Sequence, residues 1–217
     1  MGIIDYLPRS LQKKYFTYIR PHIFRRYHAL TKIIQEHRCK KIMEIGVWTG
    51  MQAEIMIREA KKKNGTSVEY YGFDLFEDMT PELFKKAVAK QPPNMNDVQK
   101  DLSKLGVRVQ LFKGPTTETI PKATKKIPIM DLIYIDGDHS IEGVTADWNN
   151  IQPLMNYNTI VVFDDYWNRT TEGAKPLVDS INRKKYDVTI LSTKDRTLKK
   201  EGILTIQFAV VQKKQKI

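Results

Sequence analysis

The sequence predicts an α/β fold: a Rossmann-like, seven-stranded, mainly parallel sheet with helices on both faces, an antiparallel last strand and extra helices at the N-terminus. Three observations predict it. Short apolar runs alternate with helical patterns from residue 40 onward, which implies a parallel sheet with crossover helices. A glycine-bearing turn stands directly between the first of these strands and the first of these helices. A length of 217 residues suits one such domain better than two.

Residues 1–39 read as a helical extension and 40–217 as the domain that carries the site. Ser10 can cap a first helix with Leu11, Tyr15, Tyr18 and Ile19 on one face, and Pro21 interrupts it. Tyr27, Leu30, Ile33, Ile34 and His37 mark a second helix, and both helices are expected to cover the domain or its mouth. Strands are expected at residues 41–45, 68–73, 107–112, 131–135, 159–163, 186–191 and 204–211. Helices are expected at 51–62, 81–90, 97–105, 141–154 and 172–183. The charged stretch 192–202 reads as a turn joining the last two strands into an antiparallel pair. Residues 77–106 are long for one crossover and suit a lid or substrate wall, the alternative being extra packing.

Composition narrows the class. A hydrophobic share of 41% supports a core and excludes a disordered chain. The lone Cys39 excludes an internal disulfide and a cysteine-rich zinc site, and it fits a reducing compartment. No apolar run reaches transmembrane length and no signal-peptide pattern opens the chain, so a cytoplasmic location is expected. The formal net charge is +11, crowded toward both ends, for example at Arg25, Arg26, Lys213 and Lys214. Such a surface can attract nucleic acid, anionic lipid or an acidic substrate. No aromatic-interleaved nucleic-acid motif accompanies it, so a solvated lysine-rich face is the simpler reading. The N-terminal helices could also build a homo-oligomer interface.

Two motif groups carry chemistry. The strand ending in Glu44-Ile45 runs into Gly46-Val47-Trp48-Thr49-Gly50 and then a helix, a turn that lets backbone approach a ligand. Its spacing is neither the dinucleotide fingerprint nor a phosphate-binding P-loop. Asp74 ends the next strand, where an acidic side chain accepts ribose hydroxyls, and its charge favours an adenosine-type ligand over a 2′-phosphate. The fourth and fifth strands end in Asp136-Gly137-Asp138-His139 and Asp164-Asp165-Tyr166-Trp167. Carboxylates gathered this closely raise one another's pKa or require a cation, and hard oxygen ligands describe a magnesium-type site. Helix capping explains one such motif well and both together less well.

Glu44 to Gly50, Gly72-Phe73-Asp74, Ile135 to Ser140 and Phe163 to Tyr166 resemble, in order and spacing, the motifs of class I S-adenosylmethionine-dependent methyltransferases. The closer likeness is to the metal-dependent O-methyltransferases of macrocin, catechol and caffeoyl-CoA type, and it runs from about residue 40 to the C-terminus. The resemblance implies S-adenosylmethionine and Mg2+ or another divalent cation as cofactors, and a sugar or small-molecule hydroxyl as methyl acceptor. It also implies that Gly46, Trp48 and Gly50 line the methionine part, that Glu44 supports their loop and that Asp74 holds the ribose. Asp136, Asp164 and Asp165 then match the metal ligands, and Asp138 a proposed general base. His139 competes for that role because imidazole titrates near neutrality. Where members carry an acidic adenine contact after the third strand, this chain reads Lys113-Gly114-Pro115-Thr116, which leaves Gly114 as the candidate contact. The rivals are an RNA or other nucleic-acid methyltransferase using the basic surface, a metal-dependent hydrolase, and a non-catalytic module with the same fold.

Overall fold

The computed structural model describes residue 11 and residues 25–80, 93–199 and 202–215. The helices expected around Ser10 and over 81–90 lie outside the described residues. Eight strands form one sheet: β1 (Lys41–Ile45), β2 (Glu69–Asp74), β3 (Arg108–Lys113), β4 (Leu132–Ile135), β5 (Ile160–Trp167), β6 (Tyr186–Ile190), β7 (Asp195–Lys199) and β8 (Gly202–Lys213). Their order is β3-β2-β1-β4-β5-β8-β6, with β7 paired to β8. The first five run parallel, while β8 is antiparallel to β5, β6 and β7. The seven expected strands are all present. The eighth, β7, replaces part of the expected turn; its Asp-Arg-Thr-Leu-Lys sequence is polar because it is an exposed edge that pairs only with β8.

Both faces of the sheet are covered, so central strands are apolar on both sides. Helices α1 (Arg26–Glu36), α2 (Met51–Asn64) and α3 (Met95–Ser103) cover one face, burying Leu30, Ile34, Met56, Ile57, Val98 and Leu102 against Ile42, Tyr70, Tyr134 and Val162. Helices α4 (Thr116–Ala123), α5 (Ile141–Ile151) and α6 (Lys175–Ser180) cover the other, with Ile120, Val144, Trp148 and Val178 against Met43, Ile133 and Phe163. Asn94 caps α3 through the Asn96 N–H, and Ser140 caps α5 through the Gly143 N–H.

Two helices also depart from the sequence expectation for identifiable reasons. Helix α4 carries Pro121 and three threonines, a poor helical composition, and forms because Ile120 and Ala123 bury into the core. Helix α6 is shorter than residues 172–183 because its leading residues close the site instead. There Gly173 takes φ +78°, its N–H donates to the His139 carbonyl at 2.7 Å, and the Ala174 N–H donates to the Asp165 carbonyl at 2.8 Å.

Helix α1 is core, not a decoration on the domain. Leu30 and Ile34 are completely buried between it and the sheet. We expect Leu30→Ala to cost about 2–5 kcal/mol, the usual range for a buried leucine, read as a lowered urea midpoint. A loss below about 0.5 kcal/mol would place the helix outside the cooperative unit.

Candidate functional site

The chain leaves β1 toward β2 and β3 on one side and later fills β4 and β5 on the other, so a crevice opens at the carboxyl ends of β1 and β4. A cleft of about 530 Å³ occupies that position. Gly46, Trp48, Asp74, Asp136, Asp138, His139, Asp164 and Asp165 all line it. The structure therefore brings together eight of the eleven residues singled out from the sequence. Glu44, Gly50 and Gly114 stand behind the wall.

The turn after β1 is forced by contact with β4. Gly46 has φ +90°, and a Cβ there would lie 2.0 Å from the Asp136 carbonyl oxygen. Trp48 adopts a left-handed φ of +45°, and its N–H donates to Asp74 Oδ2 at 2.7 Å. The Phe76 N–H donates to Asp74 Oδ1 at 2.8 Å, so the carboxylate is fixed from both sides. Burial raises the pKa of Asp74 against the pull of these backbone donors.

The residues behind the wall hold it in place. Glu44 is buried and accepts a hydrogen bond from the Tyr70 hydroxyl. Gly50 is the left-handed cap of α2 and packs on Val98. The Gly114 N–H donates to the Asp74 carbonyl at 3.0 Å, leaving Pro115, Thr116 and Thr117 to face the cleft.

Asp136, Asp164 and Asp165 offer one ligand oxygen each, all within 4.8 Å of one another. Neighbouring side chains on a strand normally point to opposite faces, so Asp164 and Asp165 could not otherwise converge. A bulge resolves this: Phe163 pairs with Ala209 and Tyr166 with Gln207, which inserts one extra residue at the two aspartates.

Each carboxylate of the cluster has protein partners. Asp164 is 2% exposed and takes the Arg26 Nε at 2.6 Å and the Tyr134 hydroxyl at 2.8 Å. Arg26 also pairs with Asp195 at 2.7 Å, and it is itself buried. Burial opposes the guanidinium charge, yet Asp164 outweighs it and the pKa of Arg26 is raised. Asp165 Oδ1 accepts from the Trp167 indole at 2.8 Å, and Oδ2 pairs with His139 Nδ1 at 2.5 Å. Burial works against a charged His139 ring, but the bond and charge of Asp165 prevail and its pKa is raised. Asp138 is exposed and turned to its own loop, accepting from the Ser140 N–H at 2.9 Å and hydroxyl at 2.8 Å.

Sequence reasoning missed four contributors: Arg26, Asp195, Gln52 and Asp147. Gln52 sits in the first turn of α2, lines the cleft at 7% exposure and leaves both amide atoms without a hydrogen-bond partner among the described residues. Asp147, on α5, is 1% exposed and lines the same cleft. Both occupy positions a helical pattern assigns to ordinary surface or core, so only their burial without full pairing reveals them.

Residues 43–166 match a family model described as a methyltransferase domain. A protein of Acanthamoeba polyphaga mimivirus is 26% identical over 172 residues, covering 76% of this chain and 72% of its own length. CalS11, a TDP-rhamnose 3′-O-methyltransferase of calicheamicin biosynthesis, superposes with a TM-score of 0.61 at 18% identity, over 93% of this chain and 87% of that one. An O-methyltransferase from Bacillus cereus in complex with SAH gives 0.57 at 14% identity, over 95% and 93%. The chain belongs to this methyltransferase-domain family and has the fold of its structural neighbours.

Arg26→Met is expected to leave Asp164 and Asp195 buried without their cation and to destabilise the protein by about 3–5 kcal/mol. Urea denaturation reads the loss, and adding Asp195→Asn to the variant should restore part of it. A fully stable Arg26→Met protein would show that the pair contributes nothing to folding.

Proposed function

We propose that this member of the methyltransferase family transfers a methyl group from S-adenosylmethionine to a hydroxyl of a sugar or other small molecule, with a divalent cation such as Mg2+ held by Asp136, Asp164 and Asp165. The observation that carries the reading is one cleft containing both Asp74, fixed by two backbone N–H groups, and the three-carboxylate cluster. Asp74 ends β2, where a carboxylate suits a ribose diol. Gln52 and the N-terminal N–H groups of α2 suit the carboxylate of the methionine part. The SAH bound by the Bacillus cereus enzyme and the sugar acceptor of CalS11 support the same reading.

The cluster fits a divalent cation in donor type and in charge. Its ligand atoms are hard carboxylate oxygens within 4.8 Å. Arg26 offsets one of the three negative charges. That same cation is shared with Asp195, so the cluster keeps a net negative charge that a divalent ion offsets. Such an ion supplies Lewis acidity and a fixed direction to an acceptor hydroxyl. The chain's own task is alignment, because methyl transfer from a sulfonium is an in-line displacement. Asp165 holds His139 by Nδ1 and leaves Nε2 as the ring nitrogen to take the acceptor's proton. Asp138 organises the start of α5 through Ser140 and stands beside it as the second proton acceptor.

Calorimetry should find S-adenosylhomocysteine bound one to one, with Asp74→Ala weakening it roughly 10- to 100-fold, the worth of hydrogen bonds to a charged group. In a parallel titration followed by electron paramagnetic resonance, Asp136→Asn should weaken Mn2+ binding. Unchanged affinities in these variants would remove the two residues from their assigned roles.

Once a sugar or catechol acceptor is found, His139→Gln is expected to lower turnover about 10²- to 10⁴-fold with nucleoside affinity intact. Asp138→Asn should cost less. The opposite ranking would make Asp138 the base and reduce His139 to a spacer.

A further inference from the structure

The nucleoside cleft has a wall that the motifs do not account for. Asp147 stands on α5, 1% exposed, with its Oδ1 lacking any hydrogen-bond partner among the described residues. Its carboxylate interacts with the Thr116 side chain at the start of α4, and a Cβ on Gly137 would lie 3.6 Å from its Oδ2. Asp147 therefore sits where the loops after β3 and β4 meet. Burial, with the charge of Asp138, pushes its carboxyl up to about 6. A buried carboxylate oxygen with no donor is costly, and such groups in a cleft mark the place of a ligand N–H.

Topology says which part of a ligand reaches it. Helices α4 and α5 lie on one face of the sheet and α2, with Gln52, on the other. Asp74 ends β2 between them, at the carboxyl edge. A nucleoside whose diol rests on Asp74 and whose amino-acid tail turns to Gln52 sends its base toward Asp147, Thr116 and Pro115.

We propose that Asp147 reads the base of the bound nucleoside, its Oδ1 accepting an N–H from the exocyclic amine of adenine. The assignment rests on the nucleoside reading of the cleft given above and adds the residue that sets base specificity. It also supplies from α5 an acidic contact that Lys113-Gly114-Pro115-Thr116 cannot offer. Hypoxanthine presents a carbonyl oxygen where adenine presents the amine, and a carboxylate repels it.

The test compares S-adenosylhomocysteine with S-inosylhomocysteine by calorimetry at pH 8, where the Asp147 carboxyl is ionised. The wild-type protein should prefer the adenine ligand roughly 10- to 100-fold. In Asp147→Asn the amide can donate to the carbonyl, so the preference should shrink to within about threefold. An unchanged preference, or equal losses for both ligands with a lowered melting temperature, makes Asp147 structural and overturns the proposal. The wild-type comparison stands even where the variant does not fold: equal affinity for the two ligands defeats base reading by Asp147. Binding of neither ligand to the wild-type protein would instead defeat the nucleoside reading itself.

Discussion

Three carboxylates within a few ångströms at the end of a buried sheet must either take up a proton or meet a positive charge, and here the chain supplies a positive charge from its own N-terminal side. Arg26 lies between Asp164 of β5 and Asp195 of β7, at 2.6 and 2.7 Å. The desolvation of a guanidinium and two carboxylates is expensive, and their attraction offsets it only with close geometry and further hydrogen bonds. Tyr27 and Tyr134 provide those bonds to Asp164. One buried cation thus ties α1, β5 and the β7–β8 hairpin to a single point. Helix α1 must dock in one rotation to deliver it, which explains why Tyr27, Leu30 and Ile34 are buried as fully as residues of the central strands.

The cluster also depends on a local break in the sheet. A regular β5 would send Asp164 and Asp165 to opposite faces. The bulge against β8 lets Asp164 face the Arg26 side while Asp165 turns to His139 and Trp167, with oxygens of both still near Asp136. The two loops are then latched by Gly173 and Ala174, which donate to the His139 and Asp165 carbonyls. Acidic groups, imidazole and latch therefore form one unit, held by side-chain bonds from Arg26, Tyr134, Trp167 and His139 and by the two backbone bonds of the latch.

Much of this was legible in the sequence because it is local. Apolar strands buried on both faces announce themselves as unbroken runs, and β1 spans the expected 41–45. The turn at Gly46 and the strand-end acids follow directly from position in a parallel sheet. The remainder is long-range. Arg26 is 138 residues from Asp164 and 169 from Asp195, and in sequence it is one of several arginines in a basic segment. The strand β7 hides because an exposed edge carries polar residues like those of a turn. Helix α4 hides because Pro121 and the threonines contradict it locally and only packing reverses the preference.

Gln52 and Asp147 teach a different point about where function shows in a fold. Other polar groups away from solvent among the described residues are paired: half-buried Asp131 accepts two backbone N–H groups at 2.8 Å each, and the buried Thr159 hydroxyl donates to the Met130 carbonyl at 2.7 Å. Against that standard, an amide and a carboxylate oxygen left without partners among the described residues, on opposite sides of one cleft, are not accidents of packing. Each would be more stable as an apolar residue if stability were the only requirement. Their positions match the two polar ends of an elongated ligand, with Asp74 fixed between them. The glycine turn tells where a ligand can approach, the carboxylate cluster what chemistry can follow, and the unpaired groups which atoms the ligand must bring.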